Sequence, residues 1–214
     1  MGRTSDARQR LLDAALELFT ERGYTSVGVA EISGRAGVQK GSFYYFFPSK
    51  EALALAVVDR HWEAQRAEWA GIFEQGGPVV DRLRSLFRAT ADRQAAALAG
   101  TGSVTGCMFG NLALEVSSRG GPMRERLQAI FDEQISMIQA QLDEAVSTGE
   151  IAVDDRAEAA RSIVAQLEGL VLFAKLFNDP AQLESLWTSS MRLIGVETPG
   201  LSVETTGLGA TGSG

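Results

Sequence analysis

VQKGSFYYFFPSKEAL, Val38–Leu53, is the stretch that decides the reading of this chain. Phe43, Phe46 and Phe47 recur at i, i+3 and i+4, the spacing of one helix face, and are expected to turn toward neighbouring helices. Gln39, Lys40, Ser42, Tyr44 and Tyr45 are then left on the outward face. Amide, ammonium and hydroxyl groups so placed can donate to phosphate oxygens or read base edges in the major groove of DNA. Two adjacent helical residues cannot both point inward, so Tyr44 and Tyr45 do not both belong to a core. Gly41 carries no side chain and lets a backbone approach a duplex closely. Pro48 and Ser49 then interrupt the pattern, with Ser49 as the N-cap of the next helix. Lys50 falls in that helix's first turn, where its ammonium and the free backbone N–H groups can meet a phosphate.

Upstream, helical periodicity runs from Ser5 or Asp6 to Arg22, with Leu12, Ala15, Leu16 and Phe19 on one face and Gly23 as the breaker. A short helix over Gly28–Arg35, the turn Ala36-Gly37-Val38 and a second short helix over Gln39–Tyr45 give a helix-turn-helix pattern. Downstream, a long helix is expected over Ser49–Gln75, stopped by Gly76-Gly77-Pro78. Further helices are read over Val79–Ala99, Met108–Ser117, Pro122–Thr148, Asp154–Phe177 and Pro180–Ile194. No alternating strand pattern interrupts them, so the expected fold is all-α. Beyond Gly195 the chain is rich in Gly, Thr and Ser and lacks periodicity, which reads as a disordered tail over 196–214. The glycine spacing at Gly207, Gly209 and Gly212 follows no strand and is set aside as a dinucleotide fingerprint.

Composition narrows the classes of function. Residues 1–50 hold seven Lys/Arg and five Asp/Glu, whereas the remainder holds 13 basic and 22 acidic residues. The body therefore carries −9 and the N-terminal end +2, which together give the net charge of −7. Cys107 is the single cysteine, so no internal disulfide can form. The longest apolar run, Ala52–Val58, is too short to span a bilayer, and the polar N-terminus does not read as a secretory signal. A cytoplasmic protein without membrane association is expected. No phosphate-binding loop, zinc-spaced Cys/His set or nucleophile elbow is present. The sequence thus points to no catalytic residue, no metal and no cofactor. The competing reading is a helical small-molecule-binding protein or enzyme whose DNA reader has become vestigial.

Arg10–Leu53 resembles the N-terminal domain of tetracycline-repressor (TetR) family regulators, most recognisably in RAGVQKGSFYYFFPSKEAL. The resemblance implies an N-terminal three-helix helix-turn-helix domain over 1–48 joined to a C-terminal helical ligand-binding and dimerisation domain over 49–195. It implies DNA contacts at Gln39, Lys40, Gly41, Ser42, Tyr44, Tyr45 and Lys50. It also implies a homodimer on a palindromic double-stranded operator, a repressor released by a small-molecule or electrophile effector. Activation in place of repression stays open. Two positions depart from the family pattern. Val27-Gly28 stands where Thr-Ser is common, with Ser26 the candidate to take over the capping, and Phe46 stands where tyrosine is common.

In the body, Ala160, Val164, Leu167, Val171 and Ala174 form one apolar stripe, and Leu183, Leu186, Trp187 and Ile194 another. The resemblance assigns both to a four-helix dimer interface; intramolecular core is the other reading. The fourth helix carries His61, Trp62 and Trp69, with Trp62 a candidate ligand contact. The segment Thr105–Ser118 resembles the branch of the family that includes the N-ethylmaleimide-responsive repressor. That resemblance implies a sensor thiol at Cys107 partnered by Lys175, whose ammonium would lower the thiol pKa. The alternatives are an inert cysteine or a non-covalent inducer held near Cys107, Met108, Asn111 and Glu115.

Overall fold

The computed structural model describes residues 2–118 and 120–193 of the 214-residue chain. Among these, nine α-helices and one 3-10 turn form the fold, and no strand occurs. The helices are α1 (Gly2–Arg22), α2 (Val29–Arg35), α3 (Lys40–Phe46), α4 (Lys50–Phe73) and α5 (Val79–Thr101). They continue as α6 (Met108–Val116), α7 (Pro122–Ser147), α8 (Arg156–Phe177), the 3-10 turn Pro180–Leu183 and α9 (Leu186–Leu193). The expected single helix over Pro180–Ile194 is therefore two pieces, broken where Glu184 and Ser185 leave the 3-10 turn. The expected tail over 196–214, its glycines and Ile194 lie outside the described residues.

Helix ends follow local chemistry. The Ser49 side chain accepts the Ala52 amide at 3.0 Å, and Asp155 accepts the Glu158 amide at 3.0 Å, each satisfying a first-turn N–H. Pro122 opens α7 in the first turn, where its missing N–H costs no bond. Gly28 stands as N-cap of α2 with no side-chain cap. Ser26 does not replace it: its hydroxyl turns back to the Arg22 and Gly23 carbonyls and closes α1. A hydroxyl two residues ahead of the cap lies nearer the end of α1 than the start of α2.

Two cores share one long helix. The first gathers Leu11, Leu18, Ile32, Phe43, Phe47, Leu53 and Val57 with Phe109 and Leu112 of α6 and Leu127 and Ile130 of α7. The second gathers Trp69 and Phe73 of α4 with Leu83, Leu86, Ile138, Leu142, Ile163 and Leu167. At 24 residues, about 36 Å long, α4 reaches through both. Trp62 and Trp69 mark the passage, their rings edge to face at 6.4 Å. The first core crosses position 48, so α1–α3 share it with α4, α6 and α7.

The α8 stripe Ala160, Val164, Leu167, Val171 and Ala174 is buried within the chain, each residue at most 4% exposed. It is intramolecular core, which corrects the assignment of that stripe to the dimer surface. Leu183 and Leu186 are likewise buried, and Trp187 lies against Phe87 with Arg84 over its ring. The exposed apolar face of α8 is a different one: Leu172, Phe173, Leu176 and Phe177, with Leu114 of α6 also exposed. A helix buried on one side by its own domain presents its other side to any partner.

Candidate DNA-reading face and ligand cavity

The outward face of α3 comprises Gln39 as N-cap, Lys40, Gly41, Ser42, Tyr44 and Tyr45, all exposed. Tyr44 is 53% and Tyr45 78% exposed, whereas Phe43 is 0% and Phe47 4% exposed. The aromatic run thus divides cleanly between core and surface, with Phe46 half-buried between them. Phe43 meets Tyr44 edge to face at 5.2 Å, and Tyr45 meets Phe46 at 5.0 Å, so each exposed ring is braced by a neighbour. The turn before α3 needs a left-handed residue, supplied by Gly37 at φ 61°, and is closed by Val38 N–H donating to Ser33 O. A Cβ at Gly41 would meet nothing within 4 Å, so this part of the surface is open. Lys40 has no ion pair among the described residues. Arg35 is taken up by Glu17 and Glu21, and Arg22 by Glu31.

Lys50 makes internal contacts. Its ammonium donates to the Tyr24 and Val27 carbonyls, both at 2.9 Å, and lies 4.2 Å from the centre of the Tyr24 ring. The ammonium thus lies against the α1–α2 turn. The reason is tertiary: packing of α1 on α4 sets the turn's carbonyls beside the first turn of α4.

Behind the reader, helices α1, α4, α5, α6 and α8 enclose a cavity of about 110 Å³. Cys107, Met108, Asn111 and Glu115 all stand in its wall, brought together by the i, i+4, i+8 spacing of 107, 111 and 115 along α6. Trp62 does not. It is 2% exposed and donates its indole N–H to Glu133 at 2.8 Å. His61 and Trp69 of α4 also line it, together with Gln94 and Glu168, which the sequence reading did not single out. Glu168 had a signal: it and Lys175 are the only charged residues between Arg161 and Asp179. Beyond Cys107 and Glu168, an apolar groove of about 290 Å³ opens between α6 and α8 toward Leu114 and Leu172.

The polar groups of this chamber are unusually placed. Trp69 is 1% exposed, and its indole N–H has no hydrogen-bond partner among the described residues. Burial pushes the Glu168 carboxyl up to about 6, opposed by its hydrogen bond with Cys107. Burial and the neighbouring Glu168 charge push the Cys107 thiol well above its ordinary value. The Gly110 and Phe109 amides at the start of α6 pull the other way, Gly110 donating to Sγ at 3.5 Å, and do not win. Lys175 donates to Asn111 Oδ1 at 2.8 Å instead of serving the thiol. The Lys175 charge still reaches Cys107, while burial and the Glu168 charge raise the thiol pKa, the opposite direction from activation by the lysine. Burial lowers the His61 pKa, and the charges of Arg93 and Arg60 lower it further.

Residues 11–57 match the family of bacterial regulatory proteins, tetR family, and residues 79–190 match the tetracyclin repressor-like C-terminal domain. The chain is 30% identical over 206 residues to the transcriptional repressor DhaR of Mycobacterium sp. strain GP1, covering 95% of this chain and 100% of DhaR. The crystal structure of reduced E. coli NemR superposes with a TM-score of 0.80 at 27% identity, covering 92% of this chain and 100% of that one. A TetR regulatory protein from Rhodobacter sphaeroides superposes with a TM-score of 0.78 at 32% identity, covering 87% and 97%. Among the described residues, no helix is long and apolar enough to cross a membrane, and no group of His, Cys, Asp or Glu is arranged to hold a metal.

The Glu168 carboxyl gives the chamber a measurable signature. Its folded value of about 6 lies above the ordinary 4.5, so the native state holds the proton more tightly than the unfolded chain. The resulting stabilisation is full below pH 4.5 and is lost as pH rises through 6. Glu168→Gln escapes that loss and gains about 2 kcal/mol on the parent between pH 4.5 and 7.5. Denaturant unfolding at fixed protein concentration measures it; parallel stability–pH curves for the two proteins would show that Glu168 is not desolvated.

Proposed function

Because the chain belongs to the TetR family of helix-turn-helix transcriptional regulators, we propose that it is a homodimeric repressor that leaves its operator when a small molecule fills the α4–α5–α6–α8 chamber. The observation that carries the DNA reading is the outward face of α3. Gln39, Lys40, Gly41, Ser42, Tyr44 and Tyr45 stay exposed while the phenylalanines beside them are buried. A vestigial reader would not need to keep a polar, hydroxyl-rich outer face, so an enzyme or simple carrier is not favoured. The relatives named above are transcriptional regulators, and a repressor of chromosomal genes works in the bacterial cytoplasm.

One recognition helix reads little sequence, since a good bidentate base contact is worth only about 1–3 kcal/mol. Two copies related by a two-fold axis read a palindrome with half-sites about 34–36 Å or a multiple apart. The exposed face Leu172, Phe173, Leu176 and Phe177 fits a second copy, because four adjacent apolar side chains on one helix are poorly left to water.

The orphaned Trp69 N–H suits an effector with a hydrogen-bond acceptor. The apolar groove beyond Cys107 suits an uncharged body. The protonated thiol favours reversible binding over thiol modification, since the thiolate is the reactive form.

Titration of the full-length protein with a palindromic duplex selected from random sequences tests the reader. Lys40→Ala combined with Tyr44→Phe should weaken binding about tenfold or more and flatten its salt dependence, since phosphate contacts set that slope. Unchanged affinity would reject the assignment of α3. Sedimentation of Phe173→Glu with Phe177→Glu should give a monomer that binds the operator poorly; an intact dimer would place the interface elsewhere. At pH 7.5, N-ethylmaleimide should modify Cys107 far more slowly than free glutathione. Rapid modification accompanied by operator release would instead establish a thiol switch.

A further inference from the structure

The five-residue turn between α1 and α2, Gly23 to Val27, is held from two sides by opposite charges. Arg22 ends α1, and Gly23 follows at φ 82°, a helical residue followed by a left-handed one. Gly23 N–H closes α1 on the Phe19 carbonyl at 3.0 Å, and the next two amides, those of Tyr24 and Thr25, share one anionic acceptor. The anion present is Glu115 of α6. One of its oxygens accepts the Tyr24 amide at 2.9 Å; the other accepts the Thr25 amide at 2.7 Å and the Thr25 hydroxyl at 2.8 Å. The turn's carbonyls face away, and Lys50 of α4 takes those of Tyr24 and Val27.

Gly23 is required twice. Its backbone is left-handed, and a Cβ there would stand 2.8 Å from a Glu115 carboxylate oxygen. The carboxylate has therefore come as close to the turn as an atom can. Burial raises the Glu115 pKa, but the hydrogen bonds from Thr25 and Tyr24 and the charge of Lys50 outweigh it, so the group remains ionised below the usual carboxylate range.

The same helix lines the chamber. Cys107 caps α6 through a thiol, a weak acceptor, and Asn111 is tied to Lys175 of α8 and to the Thr105 carbonyl. Glu115 lies one turn beyond Asn111, in the chamber wall and at the turn together. A nine-residue helix is short enough to shift as a unit, so a displacement that opens its N-terminal half against α8 moves the carboxylate at its other end.

We propose that Glu115 is the positioning residue that couples the chamber to the DNA reader, by holding the α1–α2 turn in register with α6. The proposal rests on the reading of the chain as an effector-released DNA regulator. Coupling between sites is reciprocal, so DNA bound at α3 must steady α6 by the same linkage through which a chamber ligand releases DNA.

Cys107 is the only cysteine and sits at the start of α6, so its alkylation reports on that helix. Iodoacetamide is the probe: the thiolate displaces iodide, the thiol proton goes to buffer, and the adduct is counted by intact mass at pH 8.5. The full-length dimer is compared with and without saturating selected duplex. In the parent protein, DNA should slow alkylation about threefold or more. In Glu115→Gln, which loses the charge and one acceptor, the slowing should fall to near onefold with duplex still saturating. Thr25→Val removes the hydroxyl bond alone, keeps both amide bonds and should show an intermediate value; it carries the comparison if Glu115→Gln no longer binds duplex. Failure of the parent to bind any duplex would reject the regulator reading itself. A parent that binds without slowing, or variants that slow as much as the parent, would overturn the coupling role of Glu115.

Discussion

The α1–α2 turn is a short piece of backbone that satisfies its polar groups with two side chains from elsewhere in the fold. Its N–H groups go to Glu115 and its carbonyls to Lys50. Tyr24 is half-buried and Thr25 exposed, so these partners fix the position of the turn as well as satisfying its polar groups. Opposite charges on opposite sides do this with charge-assisted bonds, stronger than neutral ones. The cost is specificity of position: α4 and α6 must arrive from opposite directions, and Gly23 must be glycine. The orientation of the reader on the body follows from that constraint.

Apolar packing carries the same unity. Phe109, Leu112, Leu127 and Ile130 of the body complete a core begun by Leu11, Ile32 and Phe43 of the reader. The second core, around Trp69, Leu86 and Leu167, is reached only through α4. The chamber sits where the two cores meet: Cys107 packs against both. Polar groups gather in this seam because neither core fills it. A desolvated carboxyl at Glu168 and an indole N–H at Trp69 without a partner among the described residues both lower stability.

Much of this was legible along the chain. The periodicity of α1, the breaker at Gly23, the cap at Ser49 and the i, i+3, i+4 phenylalanines of α3 are local features, and local sterics and capping decide them. The division of Tyr44 and Tyr45 from Phe43 and Phe47 followed from helix geometry alone. The α8 stripe shows where periodicity stops being informative. Ala160, Val164, Leu167, Val171 and Ala174 do share a face, but spacing cannot say whether the chain or a second copy covers it. The opposite face, Leu172, Phe173, Leu176 and Phe177, is as apolar, so both sides of the helix read alike.

By itself, then, the sequence determined the helices, their order, the helix-turn-helix and the family, because these depend on neighbours within a few residues. Tertiary structure decided the partners of charged and reactive side chains, because each partner lies tens of residues away. Lys50 meets the carbonyls of residues 24 and 27, Glu115 meets the amides of residues 24 and 25 while also lining the chamber, and Lys175 meets Asn111. The thiol pKa is raised first by burial and then by the charge of Glu168, 61 positions further along, neither of which local spacing could reveal.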